Sequence, residues 1–186
     1  NEILDLKEDG LGNIWIKTKF GYMVYNRNKD CFITDISGFL KKFGIEVDRN
    51  YLVYVDKNED LWVLSNQKVY FYDTHENKLK VFIMKIRVDE VITSGFSDDG
   101  ESLYGNFNKG VIWQINKRTG NQEVVKVNNV FGSGDSDYFN KIFVDDHGGI
   151  WLFSRKNGQW LYRKSGKSDW KILKWHSSDE TRSNGV

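Results

Sequence analysis

The chain states one short phrase four times, and this repetition constrains its fold more than any other feature. The copies are Asp9-Gly10-Leu11-Gly12-Asn13-Ile14-Trp15, Asp56-Lys57-Asn58-Glu59-Asp60-Leu61-Trp62, Asp98-Asp99-Gly100-Glu101-Ser102-Leu103-Tyr104 and Asp145-Asp146-His147-Gly148-Gly149-Ile150-Trp151. Each places an Asp six residues before a large aromatic, with Ile or Leu immediately before the ring. Successive Asp residues are 47, 42 and 47 positions apart. Self-similarity at such a period marks a repeat architecture. Asp and Gly together suit a tight turn, Asp by bonding nearby backbone and Gly by accepting positive φ. The second copy lacks the Gly and carries Glu59 in its place.

Strand-like runs surround each phrase. Residues 3–6, 52–55, 91–94 and 141–144 precede the turn, and a second run carries the aromatic. Residues 22–25, 69–72, 111–115 and 159–162 supply a third, and 31–33, 79–83, 122–125 and 170–173 a fourth. Four short antiparallel strands per roughly 40–45 residues predict an all-β chain and a β-propeller of four-stranded blades. The expected blades cover about 3–36, 51–84, 91–127 and 139–175 within 1–176, with a polar tail at 177–186. Four blades form part of a larger ring, a small ring, or one completed by a second copy. Asp9, Asp56, Asp98 and Asp145 are expected to hold turns. Trp15, Trp62, Tyr104 and Trp151 are expected to wedge each blade against its neighbour.

With those residues in view, the chain resembles the two-component regulator propeller repeat. Asp9, Gly12, Asn13, Ile14, Trp15, Thr18, Gly21 and Tyr25 match its pattern, as do Asp145, Gly148, Ile150, Trp151, Ser154, Gly158 and Tyr162. The second and third copies depart from it at Glu59 and Tyr104. The resemblance spans about residues 3–176. It implies a periplasmic sensor region of a hybrid two-component histidine kinase that controls glycan use. In that family the propellers precede a membrane span and hold many more repeats, so four read as a fragment. The ligand is left unspecified.

Composition agrees with strands: 15% of residues are aromatic, and the chain contains neither Ala nor Pro. Balanced charge, 27 basic against 26 acidic residues, gives no field directed at nucleic acid. No stretch approaches the roughly 18 apolar residues of a membrane helix, so no membrane contact is expected from this segment. The first residues open straight into a strand, without an initiator Met or a signal peptide, so targeting information is expected to have been cut away or never to have lain here. Cys31, the single cysteine, is expected as a buried or half-buried thiol on an outer strand. Ile36, Phe39, Leu40 and Phe43 stand at helical spacing ahead of Gly44, predicting a short helix that plugs a blade joint or forms a docking ridge. The Gly-, Ser- and Asp-rich stretch 128–138 reads as a solvated loop rather than a calcium site.

Catalytic chemistry is not legible. His75, His147 and His176 have no metal-ligand spacing, and no nucleotide fingerprint is present, so neither metal nor cofactor is expected. Charge placement is more informative. The first turns of the blades are acidic, whereas the second turns carry Lys17, Lys19, Lys68, Lys109, Arg155 and Lys156. A basic face of this kind suits an anionic oligosaccharide, with Asn66, Asn106 and Asn108 as hydroxyl partners. Solvated hairpin turns would be charged in any case. Trp160, Trp170 and Trp175 offer stacking platforms or outer-strand packing. The expected role is non-catalytic sensing. A protein-interaction scaffold stands as the alternative, and a propeller lyase or glycosidase as the third reading.

Overall fold

The computed structural model describes residues 2–86, 95–107, 110–127, 139, 141–154 and 158–173. The first sheet comprises β1 (Ile3–Glu8), β2 (Asn13–Thr18), β3 (Gly21–Asn26) and β4 (Cys31–Ile33). The second holds β5 (Tyr51–Val55), β6 (Leu61–Ser65), β7 (Lys68–Asp73) and β8 (Lys78–Ile83). β9 (Gly95–Asp98), β10 (Ser102–Phe107), β11 (Val111–Asn116) and β12 (Gln122–Lys126) form the third. β13 (Lys141–Val144), β14 (Ile150–Ser154), β15 (Gln159–Arg163) and β16 (Lys171–Leu173) form the fourth. Every sheet is an antiparallel meander in chain order, which is the blade of a β-propeller. The described inner strand of the third blade begins at Gly95. Residues 91–94 fall outside the described set, and the observed strand is β9.

The repeated Asp earns its spacing through a side-chain clamp. Trp15 Nε1 donates to Asp9 Oδ2 (2.8 Å), Trp62 Nε1 to Asp56 Oδ2 (2.9 Å) and Trp151 Nε1 to Asp145 Oδ2 (2.8 Å). The other carboxylate oxygen accepts the backbone N–H groups two and four residues on: Leu11 and Asn13, Asn58 and Asp60, His147 and Gly149. One carboxylate therefore closes the turn and fixes the ring on the next strand.

The third blade departs from this rule. Asp99, not Asp98, takes the clamp: its Oδ1 accepts from Glu101 and Ser102 N–H, and its Oδ2 from the Tyr104 hydroxyl (2.8 Å). A phenol replaces the indole, and the turn is one residue shorter. Asp98 instead reaches the second blade, accepting from Tyr54 Oη (2.7 Å) and Lys57 N–H (3.1 Å) as well as Gly100 N–H.

Three apolar layers glue consecutive blades together. Trp15 and Val24 meet Val53, Val55, Leu61 and Val63 in the first. Trp62, Leu64 and Phe71 meet Leu103, Phe107, Trp113 and Ile115 in the second. Tyr104 and Ile112 meet Ile142, Val144, Ile150, Leu152 and Leu161 in the third. Full burial of a ring such as Trp62 contributes about 3 kcal/mol. Trp151 differs from its three counterparts, being only half-buried.

Helix α1 (Ile36–Lys41) follows the first blade. Asp35 Oδ1 accepts from Gly38 N–H at its start. At its end Gly44, at φ 75°, lets the Gly44 and Ile45 N–H groups return to the Lys41 and Leu40 carbonyls. Ile36, Phe39 and Leu40 are buried in the first layer while Lys41 and Lys42 are exposed, so the helix plugs the joint and is no ridge. Cys31 corrects expectation: it is exposed, because β4 is the outermost strand and the thiol sits at its first residue.

Glu59 is the weak point of the repeat. Its φ is 64°, where the matching Gly12 and Gly148 stand at 77° and 72°. A side chain there costs about 1 kcal/mol, since Cβ crowds the following carbonyl. Glu59→Gly is expected to raise the melting temperature by about 2–4 °C. Asp9→Ala, which strands the buried Trp15 indole N–H, is expected to cost about 3 kcal/mol in denaturant unfolding. Equal stability of either variant with the parent contradicts these assignments.

Candidate functional site

The acidic turns form a knitted surface more than a bare anionic face. Gly10 N–H donates to the Glu59 carbonyl (2.9 Å), joining the first and second blades. Gly10 has no room for a side chain, since a Cβ would lie 2.3 Å from Thr74 Oγ1. Asn58 Nδ2 donates to the Gly100 carbonyl (2.7 Å), joining the second and third. Lys57 Nζ lies 2.8 Å from Asp146, joining the second and fourth. Lys117 Nζ lies 3.1 Å from Asp60 and 3.8 Å from Asp56, with the Phe71 ring beneath it at 5.6 Å. Arg27 meets Glu8 at 2.8 Å. Asp9, Asp56, Asp60 and Asp98 are buried. The acidic first turns therefore carry less free charge than their composition suggests, because burying a carboxylate demands donors or a cation beside it.

At the second turns, Lys17, Lys19, Lys68 and Asn66 are exposed. Asn66 and Gln67 form the two-residue β6–β7 turn with φ of 47° and 62°. Lys109, Asn108, Arg155 and Lys156 lie outside the described residues, as do Trp175 and His176. Asn106 is a correction. It is fully buried on β10, and its Nδ2 donates to the Phe139 carbonyl (2.7 Å), tying the third blade to the lead-in of the fourth. Its place on the strand rather than in the turn directs it inward, where it cannot meet a ligand hydroxyl.

Of the described residues expected to meet a ligand, Lys17 borders a defined cavity. This cleft of about 240 Å³ lies between the inner strands of the first three blades. Asp5 and Lys7 come from β1, Lys17 from β2, Tyr22 from β3, Tyr54 from β5, and Gly95 with Phe96 from β9. Asp5 pairs with Lys17 and Lys7 with Trp15 across the ladder, so their side chains share one face of the sheet. The Tyr22 hydroxyl accepts from Val53 N–H (3.1 Å), and burial pushes that hydroxyl's pKa up. Tyr54 is pushed up further, by burial and then by the charge of Asp98. Both phenols therefore stay neutral polar walls. Among the described residues, Lys7 and Lys17 have no ion-pair partner. Lys7, Tyr54 and Phe96 escaped sequence reading because they precede the turns on inner strands, and only the curvature of the blade array brings them together.

Among the described residues, no group of three or more His, Cys, Asp or Glu is arranged to hold a metal ion. No helix of these residues is long and apolar enough to cross a membrane. His75 lies on the acidic side with Nε2 3.1 Å from the Asn58 carbonyl oxygen, and His147 is exposed in its turn. Trp160 and Trp170 are half-buried; Trp160 packs on Phe153, and Arg163 lies over the Trp170 ring at 5.4 Å.

No family model matches the sequence, and no curated protein matches it. Solved structures do. The extracellular domain of a hybrid two-component system from B. thetaiotaomicron superposes with TM-score 0.56 at 13% identity, covering 82% of this chain and 19% of that one. A second such domain from the same organism gives TM-score 0.56 at 16% identity, covering 92% and 23%. Virginiamycin B lyase from Staphylococcus aureus gives TM-score 0.60 at 10% identity, covering 95% and 56%. The chain thus spans about a fifth of the length of the two-component domains and just over half of the lyase. What these likenesses share with it is the fold: the chain is four blades of a β-propeller.

Titration separates the turn carboxylates. The indole of Trp151 holds Asp145 below the ordinary carboxylate range, and the Lys57 ammonium does the same for Asp146. Burial pushes Asp56 up, against the pull of Trp62 and Lys117. For the depressed pair, stability is fully present above the unfolded value of about 4 and is lost as pH falls through the folded values. Asp56 runs the other way: its contribution is complete below the unfolded value and lost as pH rises through the raised one. Lys57→Met is expected to move the Asp146 titration midpoint up toward the ordinary value, read by carboxyl carbon NMR. An unchanged midpoint contradicts the cross-blade pair.

Proposed function

We propose that the chain is a ligand-binding piece of an extracytoplasmic sensor propeller, that its ligand is a saccharide bearing negative charge, and that it performs no catalysis. The observation that carries this reading is the inner-strand cleft. Aromatic walls from Tyr22, Tyr54 and Phe96 offer apolar faces to a sugar ring, Asp5 can accept from its hydroxyls, and Lys7 and Lys17 can meet an acidic substituent. Lys17 links the cleft to the second-turn face, where Lys19, Lys68 and Asn66 extend the basic surface, joined in this proposal by Lys109, Asn108, Arg155 and Lys156. The likeness to extracellular domains of hybrid two-component systems supports the sensory role and a periplasmic location. The likeness to the lyase is one of fold, and the repeated carboxylates are committed to turns.

Further blades of the parent protein or a second copy complete the ring. Signal would pass by population shift: a ligand that binds one arrangement of blades more tightly increases that arrangement's share. A scaffold that binds only proteins would leave the cleft empty of sugars.

Thermal melting with uronate-containing, sulfated and neutral oligosaccharides at two salt concentrations tests the reading. Stabilisation should come from the charged sugars and weaken with salt, reaching about 2.7 kcal/mol at a hundredfold excess over Kd. Lys17→Ala should leave the unliganded melting point in place and remove most of the shift. If no sugar moves the transition, or if neutral and charged sugars move it alike, the anionic-saccharide reading is wrong.

A further inference from the structure

In the third blade the turn clamp is shifted by one residue, and the shift releases a carboxylate. Asp99 holds Tyr104, so Asp98 has no role toward the aromatic of its own blade. Asp9, Asp56 and Asp145, by contrast, are each engaged by their own blade's indole. Asp98 is 3% exposed, and it turns its oxygens to the joint with the second blade. Its Oδ1 accepts from the N–H groups of Lys57 (3.1 Å) and Gly100 (3.0 Å), one from each side of that joint. With Oδ1 held at two points, Oδ2 is left to accept from the Tyr54 hydroxyl at 2.7 Å.

Tyr54 is a wall of the inner-strand cleft, which it lines together with Phe96 of the third blade. The two rings lie 5.9 Å apart, tilted at 52°. Phe96 is seated by its own ladder: it stands opposite Gly105, where an added Cβ would lie 3.1 Å from Phe96 Cε1. Tyr54 is held from its far end instead. A tyrosine side chain turns about two bonds, and fixing the hydroxyl beyond the ring restrains both rotations. Burial, and then the charge of Asp98, pushes the pKa of that hydroxyl up, so it stays a donor. Asp98 itself does not line the cleft.

We propose that Asp98 is a positioning residue for this cleft: it touches no ligand, and it sets ligand affinity by fixing the Tyr54 ring against Phe96. The inference rests on the reading of the cleft as a saccharide site. A sugar ring packs on an aromatic face, and a wall that is fixed before binding does not have to be ordered by the ligand. A charged sugar held by Lys7 and Lys17 of the first blade therefore meets a surface set by the joint between the second and third. The shifted clamp makes this possible. Were Asp98 engaged by the aromatic of its own blade, as Asp56 and Asp145 are, its Oδ2 would not be open to Tyr54.

Calorimetric titration of the full chain with digalacturonate and with a sulfated disaccharide tests it, in the parent, Tyr54→Phe, Asp98→Ala and the double variant. Tyr54→Phe keeps the ring and removes the proton that Asp98 accepts. It should weaken binding by about two- to tenfold, the span expected when one more side chain must be immobilised on binding. Asp98→Ala should weaken it to a similar degree, and the double variant no further than the weaker single one. Melting temperatures are read alongside, because a purely structural role lowers them and leaves the affinity in place. If Asp98→Ala does not fold, Asp98→Asn replaces it in the cycle, since its amide keeps an oxygen for the Lys57 and Gly100 N–H groups. Unchanged affinity in Tyr54→Phe overturns the proposal and leaves the cleft reading standing. So do two losses that add in full, because the hydroxyl then serves the ligand directly. Failure of both charged sugars to bind the parent overturns the cleft reading, and this proposal with it.

Discussion

A buried hydrogen bond from a tryptophan indole to an aspartate six residues earlier is the contact on which this chain is organised. An isolated hairpin turn is cheap to deform, and an isolated ring can take several rotamers. Tying both to one carboxylate removes both freedoms at once. The N–H groups two and four residues on occupy one oxygen and the indole the other, which leaves the buried charge well solvated by the protein itself. The six-residue spacing is thus a geometric requirement: shorter by one, as from Asp99 to Tyr104, and a phenol hydroxyl has to replace the indole.

Once the ring is fixed, the packing order of the blades follows. Each aromatic stands on the face turned to the next sheet, so burial of Trp15, Trp62 and Tyr104 also chooses the neighbour. Polar ties across the joints then set the register. Tyr22 with Val53, Ser97 with Val144, and Asn106 with Phe139 each use a side chain of one blade to satisfy backbone at the next. The cleft near the inner strands arises from the same arrangement. Gly95 contributes no side chain where Asp5, Tyr22 and Tyr54 converge, and the space left is lined by groups that no single blade could supply.

Much of this was legible in the chain itself, because period and turn chemistry are local. The blade pattern, the helix at Ile36–Lys41 and the turn role of Asp9, Asp56 and Asp145 all follow from residues within one repeat. What escaped was set by contacts between repeats. Asp98 looked like its counterparts, yet a neighbouring turn recruited it through Tyr54 and Lys57. Asn106 read as a surface amide because it lies near a turn, but its strand position turns it into the third joint. Cys31 read as buried because cysteine usually is, and the edge of a four-stranded sheet overruled that preference. The candidate ligand residues Lys7 and Phe96 carry no sequence signal, for nothing local distinguishes them from other inner-strand residues.

The joints between blades and the cleft they enclose inherit their geometry from the clamp. Hydrogen exchange of the indole Nε1–H groups, followed by NMR on tryptophan-labelled protein, reports on the clamp directly. Trp15 and Trp62 should exchange only through global unfolding, at a rate that tracks overall stability as denaturant is added. Exchange at the rate of free indole, under conditions where the strands remain protected, would show that the carboxylates do not hold the rings.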